Sequence, residues 1–119
     1  MKYICLVYNE PEKLAAVTDD ELTAHVAKIV DWVGDLESSG RHIYSAGLQS
    51  PRNASTVRVR NGSLTVTDGP FAETKEVFGG FTIFEARDLT EAIQIASKMD
   101  AVRIGSVEVR PVIDRKSVV

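Results

Sequence analysis

Two short segments carry apolar side chains at both parities of an extended chain, and they constrain the fold more than any other feature. The first covers residues 2–8 (KYICLVY), and the second covers residues 78–86 (FGGFTIFEA). Because successive side chains of a strand point to opposite faces, this pattern predicts strands that are covered on both faces. We therefore expect these two segments in the middle of a sheet.

Two capping sequences predict the main helices. Thr18 with Glu21, and Asp88 with Glu91, place an N-cap residue and a glutamate three positions apart, each before an apolar periodic segment. The first helix is expected to end at residues 38–40 (SSG), where glycine suits a left-handed cap. The positions expected to face the core are Leu22, Val26, Ile29, Val33 and Leu36 in the first helix, and Leu89, Ala92, Ile93, Ala96 and Met99 in the second.

The remaining segments complete an α+β order. Residues 41–48 and 106–112 read as strands, and residues 9–17 as a loop with a short helical turn. Asn61-Gly62 predicts a tight hairpin turn between residues 56–60 and 63–67, whose inward side chains would be Val57, Val59, Leu64 and Val66. This order predicts one domain over residues 1–119, with a ferredoxin-like split βαβ fold and an extra β-hairpin.

Both helices would cover the same face of that sheet. The opposite face would then leave apolar side chains in water, and large patches of this kind are rare on soluble monomers. We therefore predict a homodimer, sheet against sheet. The alternative is a monomer in which the hairpin and the C-terminal tail fold across the apolar face.

Composition excludes several classes of partner. The chain has 14 Lys and Arg against 17 Asp and Glu, a net charge of −3, which offers no general attraction to nucleic-acid phosphates. The apolar run at residues 3–8 is far shorter than the ~20 residues that cross a bilayer. A single Cys and the absence of a secretory leader pattern predict a cytoplasmic protein.

Residues 68–80 (DGPFAETKEVFGG) form the most unusual stretch. Asp-Gly and Gly-Pro are strong turn signals, so local chemistry favours a turn at Asp68. The functional alternative is that a rigid Gly-Pro turn holds Asp68 in a cleft as an acid or base. The charged side chains of this stretch are expected to be solvated and to pair with one another: Glu73, Lys75 and Glu76. Gly79-Gly80 predicts a β-bulge or the close approach of a ligand or of another part of the chain.

His25 is the second candidate, at the margin of the first helix's apolar stripe. An unperturbed imidazole has a pKa of about 6.5, which suits proton transfer near neutrality. A partly buried surface histidine is the ordinary alternative. The two histidines lack the spacing of a metal site, and no phosphate or dinucleotide motif is present, so neither metal nor cofactor is expected. Cys5, inside the first strand, is expected to be a core residue.

The run DGPFAETKEVFGGF, the segment DLTEAI and the terminal VEVRPV together resemble the DGPF-motif branch of the YCII-related family. The resemblance extends from the opening strand to Val112. It implies a ferredoxin-like fold that dimerises into an α/β barrel, and a His–Asp pair in a pocket. Asp68 matches the aspartate of the motif, and His25 is similar in position to the family histidine. The branch is also associated with extracytoplasmic-function sigma factor systems.

The leading expectation is a small dimeric, enzyme-like protein that binds a small organic molecule. Asp68 and His25 would handle a proton in an elimination or isomerisation, which requires them to lie within roughly 2.6 to 3.2 Å or to share one water. The alternative is a non-catalytic ligand-sensing or protein-binding accessory, linked to sigma-factor regulation. A third possibility is a purely structural dimer module without a useful pocket.

Overall fold

The computed structural model of the protein describes residues 1–113. Within them the strands are β1 (Lys2–Asn9), β2 (His42–Gly47), β3 (Ser55–Arg60), β4 (Ser63–Asp68), β5 (Val77–Glu85) and β6 (Gly105–Pro111). The α-helices are α1 (Pro11–Ala16), α2 (Asp19–Ser38) and α3 (Leu89–Ser97), and short 3₁₀ helices lie at Pro51–Asn53 and Asp100–Arg103. None of the helices in residues 1–113 has the length and apolar character needed to span a membrane.

The four principal strands form an antiparallel sheet with the order β2-β5-β1-β6. Numbered among themselves along the chain, these strands are ordered 2-3-1-4, which is the order of a split βαβ fold. The two segments that are apolar at both parities are β1 and β5, the central strands. The predicted ferredoxin-like α+β fold is confirmed.

The helix caps are confirmed as predicted. The hydroxyl of Thr18 accepts a hydrogen bond from the backbone N–H of Glu21 at 3.1 Å, and Asp88 accepts one from the N–H of Glu91 at 2.8 Å. Gly40 follows α2 with φ +73°, the left-handed conformation expected at that end. The helical turn expected within residues 9–17 is present as a complete short helix, which begins at Pro11.

The core lies between the sheet and the two longer helices. Tyr3 and Phe84 from the central strands are 2% and 0% exposed, and they meet Trp32 and Leu36 of α2. The rings of Trp32 and Phe84 pack edge to face, with centroids 6.4 Å apart. The indole Nε1 donates a hydrogen bond to the carbonyl of Ile95 at 2.9 Å, which ties α2 to α3.

The predicted stripes of α2 and α3 are wrong in part. Four positions expected in the core are exposed: Leu22, Val26, Leu89 and Ile93. The inward side of α2 instead carries His25 and Trp32, because each has a hydrogen-bond partner beneath the helix. In α3 the small side chains Ala92 and Ala96 are buried, which allows a close approach to the sheet.

Strands β3 and β4 form a separate two-stranded sheet, which we call the arm (residues 55–68). Its turn is confirmed, with φ 53° at Asn61 and 78° at Gly62. The prediction that its apolar side chains point inward is wrong for the single chain, since nothing in residues 1–113 covers them. These side chains are Val57, Val59, Leu64 and Val66, each at least 61% exposed.

The sheet face opposite the helices, which we call the open face, is apolar. Its central side chains are Ile4, Leu6, Phe81 and Ile83, all half-buried, and the exposed Tyr44 packs against Phe81 with ring centroids 6.1 Å apart. The exposed apolar side chains of the arm do not cover this face. The tail beyond Ile113, which could have covered it, lies outside the described residues.

Candidate functional site

His25 on α2 and Asp100 on the 3₁₀ helix after α3 form a direct hydrogen bond, with Nδ1 and Oδ2 2.6 Å apart. Their side chains are 11% and 7% exposed. A carboxylate in this position accepts a hydrogen bond from Nδ1–H, which fixes the tautomer and the orientation of the ring. The free lone pair of the imidazole is then on Nε2, which can accept a proton from another group.

Two cations hold Asp100 from its other sides. Arg103 forms a fork, with Nε donating to Oδ1 and Nη2 donating to Oδ2, both at 2.7 Å. Nζ of Lys28 lies 3.7 Å from Oδ1. The hydrogen bonds from Arg103, followed by that from His25, hold the pKa of Asp100 well below its usual range. Asp100 is therefore ionised at neutral pH and can stabilise a positive charge on the imidazole.

Asp68 lies at the end of β4, at the base of the arm, and is exposed. The turn that follows is firmly held: Gly69 has φ +95°, its N–H donates to the carbonyl of Ala54, and its carbonyl accepts from the Thr56 hydroxyl, both at 2.8 Å. Within residues 1–113 the Asp68 carboxylate has no hydrogen-bond partner, and the partner of His25 is Asp100. The single chain therefore does not bring Asp68 and His25, the predicted pair, together.

A large groove of about 1180 Å³ lies between the arm and the main sheet. Its lining comes from the turn after Asp68, from the residues that enter β5 and β3, and from the end of β1; the largest side chains there are Tyr8, Leu48, Arg52, Phe71 and Phe78. The rings of Tyr8 and Phe78 are 5.6 Å apart. The described lining residues do not include His25, Asp68 or Asp100. The large groove and the His25–Asp100 pair are therefore separate features.

The Gly79-Gly80 pair permits close backbone packing, as predicted. A Cβ at Gly80 would lie 2.8 Å from the carbonyl oxygen of Ala46, and one at Gly79 would clash with the side-chain amide of Asn9. The pairing of β1 with β5 shifts its register beside these glycines, between Val7 and Tyr8. The group that approaches closely is the chain itself.

The charged residues of the motif segment pair with distant partners rather than with one another, so that prediction is wrong. Nζ of Lys75 lies 3.3 Å from Oε1 of Glu10, and Glu76 accepts a hydrogen bond from the Ser106 hydroxyl at 2.8 Å. Hydrogen bonds from Lys13 and then from Lys75 lower the pKa of Glu10. These contacts fasten one wall of the large groove to α1 and β6.

A smaller groove of about 480 Å³ lies between α2 and α3. Lys28, which approaches Asp100, is one of its lining residues, together with Trp32, whereas His25 and Asp100 are not among its described lining residues. Arg41 and Glu91 also line it and form an ion pair, with Nη1 and Oε1 2.5 Å apart. The groove is within the usual size range of small-molecule sites, roughly 300 to 1,000 Å³.

The other candidate residues have ordinary structural roles. Cys5 is fully buried, as expected, and burial raises the pKa of its thiol to about 12, so it is not a nucleophile at neutral pH. Nε2 of His42 lies 2.8 Å from the Ser45 hydroxyl. In the described part of the chain, no three His, Cys, Asp or Glu side chains are grouped as a metal site.

Sequence reasoning did not find Asp100 or Arg103. Asp100 and His25 are 75 residues apart, and no local pattern links them. The available signal was the three-residue spacing between Asp100 and Arg103, which permits an ion pair on one turn of helix. That signal does not reveal which third residue the pair meets.

The fold and sequence both have known relatives. The 5-chloro-2-hydroxyhydroquinone dehydrochlorinase (TftG) from Burkholderia phenoliruptrix AC1100, solved in complex with 2,5-dihydroxybenzoquinone, has a similar fold: the TM-score is 0.52 at 17% identity, over 98% of this chain and 97% of that chain. The uncharacterized protein R00369 of Rhizobium meliloti (strain 1021) is 33% identical over 120 residues, 93% of this chain and 91% of the relative. The YCII-related domain matches residues 1–116. The chain therefore belongs to the YCII-related family.

Proposed function

We propose that the protein is a small homodimeric enzyme that binds a small organic molecule and moves a proton on it with His25. The observation that carries the proposal is the 2.6 Å hydrogen bond between the nearly buried side chains of His25 and Asp100. An imidazole oriented by an ionised carboxylate is a common arrangement for general acid and base catalysis. Arg103 is the positioning residue that holds the carboxylate in place.

The reaction class is an elimination or an isomerisation. Nε2 of His25 takes a proton from the substrate, and the electron pair left behind forms a new double bond. In an elimination the leaving group departs with its own electron pair; in an isomerisation His25 returns the proton to another atom. Asp100 remains ionised throughout and stabilises the imidazolium. No cofactor is needed for either step.

The structural neighbour supports the ligand class. That protein is a dehydrochlorinase of a hydroxylated aromatic compound, and it binds a dihydroxybenzoquinone. We propose that this chain binds a planar oxygenated ring of similar size beside His25, at the Lys28 end of the groove between α2 and α3. Lys28, whose side chain is largely exposed, offers a donor for one of the ring's oxygens there.

Asp68 is proposed as a second proton-handling group, as the family motif implies. It lies on the arm at the parity of Leu64 and Val66, immediately before Gly69, which lines the large groove. Because the single chain leaves Asp68 exposed, its action on the same molecule as His25 depends on the homodimer.

The binding proposal is tested by NMR with 2,5-dihydroxybenzoquinone as the probe. The chain has two histidines and one tryptophan, so each imidazole and the indole N–H can be assigned directly. We expect the probe to shift the signals of the His25 ring and the Trp32 indole, and to leave the His42 ring unchanged. Shifts at Tyr8 and Phe78 without shifts at His25 would place the ligand in the other groove and contradict the proposal.

Catalysis is tested by exchange of the probe's ring hydrogens with deuterium oxide, which needs proton transfer but no leaving group. We expect acceleration by the protein, reduced ~100-fold or more by His25→Gln, as is typical for loss of a general base. The matched control His42→Gln should retain the wild-type rate. Equal rates with the two variants would remove His25 from the mechanism.

A non-catalytic, protein-binding accessory is the second candidate function. It is favoured by the exposed apolar side chains of the arm. Asp68→Asn distinguishes the two: it should abolish exchange but preserve probe binding if Asp68 handles a proton. If the protein is a non-catalytic accessory, the substitution should also leave binding intact, but the wild-type protein should not accelerate the exchange either.

A further inference from the structure

We propose that Lys28 binds the substrate oxygen that becomes negative when His25 removes a proton, and that the substrate therefore carries a carbonyl group beside the C–H bond that is broken. This role rests on the proposed function and names the substrate class of that same site. It is carried by an ammonium group that the fold holds beside the His25–Asp100 pair and that donates no hydrogen bond within residues 1–113.

Lys28 and His25 share one face of α2. They are three residues apart, so their side chains are neighbours on the helix surface. Both reach the same carboxylate: Nδ1 of His25 lies 2.6 Å from Oδ2 of Asp100, and Nζ of Lys28 lies 3.7 Å from Oδ1. The ammonium group is therefore close to the imidazole, on the other oxygen of the group that orients the ring.

Asp100 does not need Lys28 as a partner. Its oxygens already accept hydrogen bonds from His25 and, twice, from Arg103, at 2.6 to 2.7 Å. The 3.7 Å separation from Nζ is too long for a hydrogen bond. Of the groups that lower the pKa of Asp100, Lys28 contributes least. The three N–H groups of Lys28 are therefore available to a ligand.

Lys28 is also an accessible member of this cluster. Its side chain is 61% exposed, against 11% for His25 and 7% for Asp100, and it lines the groove between α2 and α3. Arg103 is the other cation on Asp100, but its fork is engaged there and it is not among the groove's described lining residues. A ligand beside His25 at this end of the groove would thus meet the ammonium group of Lys28.

The chemistry of proton removal identifies the oxygen that Lys28 binds. Nε2 of His25 takes a proton from a ring carbon beside a carbonyl group. The electron pair of the broken C–H bond forms a C=C bond, and the π pair of the carbonyl group moves to its oxygen, which becomes an enolate oxyanion. Lys28 donates an N–H to this oxygen. Donors placed where negative charge develops stabilise the transition state more than the ground state.

The oxyanion then returns its electron pair and the carbonyl group re-forms. In an elimination, the C=C pair shifts toward the next carbon, which releases the leaving group with its own electron pair. In an isomerisation, the imidazolium returns the proton to another carbon. Lys28 keeps its own protons in both reactions. A substrate without a carbonyl group beside the C–H bond has no oxygen for Lys28 to stabilise, and this requirement defines the substrate class.

The first test measures binding. 2,5-Dihydroxybenzoquinone ionises to a ring with delocalised negative oxygens, whereas 2,5-dimethoxybenzoquinone has the same ring and carbonyl groups but no hydroxyl to ionise. We expect the wild type to bind the dihydroxy compound at least ~10-fold more tightly, as is typical for a hydrogen bond to a charged group, and Lys28→Met to lose this preference. Lys28→Arg should keep it. A wild type without the preference, or a preference that Lys28→Met leaves unchanged, would overturn the inference.

The second test measures proton transfer from an uncharged carbonyl compound, cyclohexane-1,4-dione, by exchange of its hydrogens with deuterium oxide. We expect the wild type to accelerate this exchange. Lys28→Met should lower kcat at least ~10-fold with little change in KM, because the negative oxygen appears only as the proton is removed. Lys28→Arg, which retains the charge, should recover most of the rate. Lys2→Met, which removes an exposed lysine at the start of β1, should retain the wild-type rate.

A structural role for Lys28 gives different results. Lys28→Met removes an exposed side chain that donates no hydrogen bond in the described part of the chain, so we expect a wild-type urea midpoint. The ¹⁵N spectrum of the His25 ring should keep the Nδ1–H form, since Asp100 retains its other partners. A lower midpoint or a changed tautomer, with the binding preference intact, would show that Lys28 only supports the pair and would overturn the inference.

The exchange measurements separate this inference from the proposed function. Exchange that falls with His25→Gln but not with Lys28→Met would overturn the role of Lys28 and leave the proposed function standing. Exchange of the dihydroxy compound without exchange of the dione would overturn the substrate class alone. A protein that accelerates neither exchange would overturn both. The expected result is loss of dione exchange with both substitutions and its recovery with Lys28→Arg.

Discussion

The imidazole of His25 and the carboxylate of Asp100 are bonded across 75 residues of chain, with Nδ1 and Oδ2 2.6 Å apart. The bond joins the first half of α2 to the 3₁₀ helix that follows α3. It therefore fixes the ring and fastens together two elements that are distant in sequence. A substitution here is expected to change both the chemistry of the ring and the local packing.

Asp100→Ala should change the tautomer of His25. With the carboxylate present, the neutral ring carries its proton on Nδ1, whereas free imidazole side chains favour Nε2. We expect ¹⁵N spectra of the neutral ring to show the Nδ1–H form in the wild type and a shift toward Nε2–H in the variant. Asp31→Asn, on an exposed position of α2, is the control and should leave the tautomer unchanged. An unchanged tautomer in Asp100→Ala would show that the carboxylate does not orient the ring.

Arg103→Gln should raise the pKa of Asp100, because the arginine fork is the main cause of its lowering. A carboxyl whose pKa is lowered by folding stabilises the protein above its unfolded pKa, about 3.9 for Asp, and loses this contribution as the pH falls through the folded pKa. In the variant the loss should occur at higher pH. Carboxyl ¹³C titration of Asp100 measures the shift directly. Arg110→Gln, which removes an exposed arginine that pairs with Glu108, should not move it.

Much of the fold follows from short-range signals. Thr18 and Asp88 begin helices because a side-chain oxygen satisfies a nearby backbone N–H, and this depends only on residues within one turn. The central position of β1 and β5 follows from their apolar residues at both parities. The direction in which α2 turns its side chains could not be predicted from such signals. His25 and Trp32 point inward and form hydrogen bonds with Asp100 and Ile95, which are distant in sequence.

The arm and the candidate site show a second limit to what can be predicted from the sequence. Alternation in Val57 and Val59 correctly indicates one apolar face, but a pattern in one chain does not reveal what covers that face. The same reason explains the site: the motif drew attention to Asp68, while Asp100 lies in a segment without a motif. A carboxylate that acts through a contact 75 residues away has no local signature.

Glu91→Gln should lower the free energy of unfolding at neutral pH and make that free energy less dependent on pH in the acid range. Hydrogen bonds from Arg41 and then from the backbone of Arg87 lower the pKa of Glu91 from 4.5 to about 2. Its contribution is therefore full above pH 4.5 and is lost as the pH falls toward 2. Urea unfolding at several pH values should show the wild type and the variant converging over this window. Glu37→Gln, an exposed position on α2, should give a parallel curve at all pH values.

Two glycine substitutions should have opposite effects. A Cβ at Gly105 would collide with the carbonyl oxygen of Tyr8, a backbone group of the neighbouring central strand. Gly105→Ala should therefore force β6 away from β1 and cost about 2 kcal/mol, as overpacking typically does. Gly34 lies in the interior of α2 with no atom within 4 Å of an added Cβ. Gly34→Ala should stabilise the protein by about 1 kcal/mol through helix propensity. Denaturant unfolding of the two variants measures both changes, and a Gly105→Ala variant as stable as the wild type would contradict the close packing of β6 against β1.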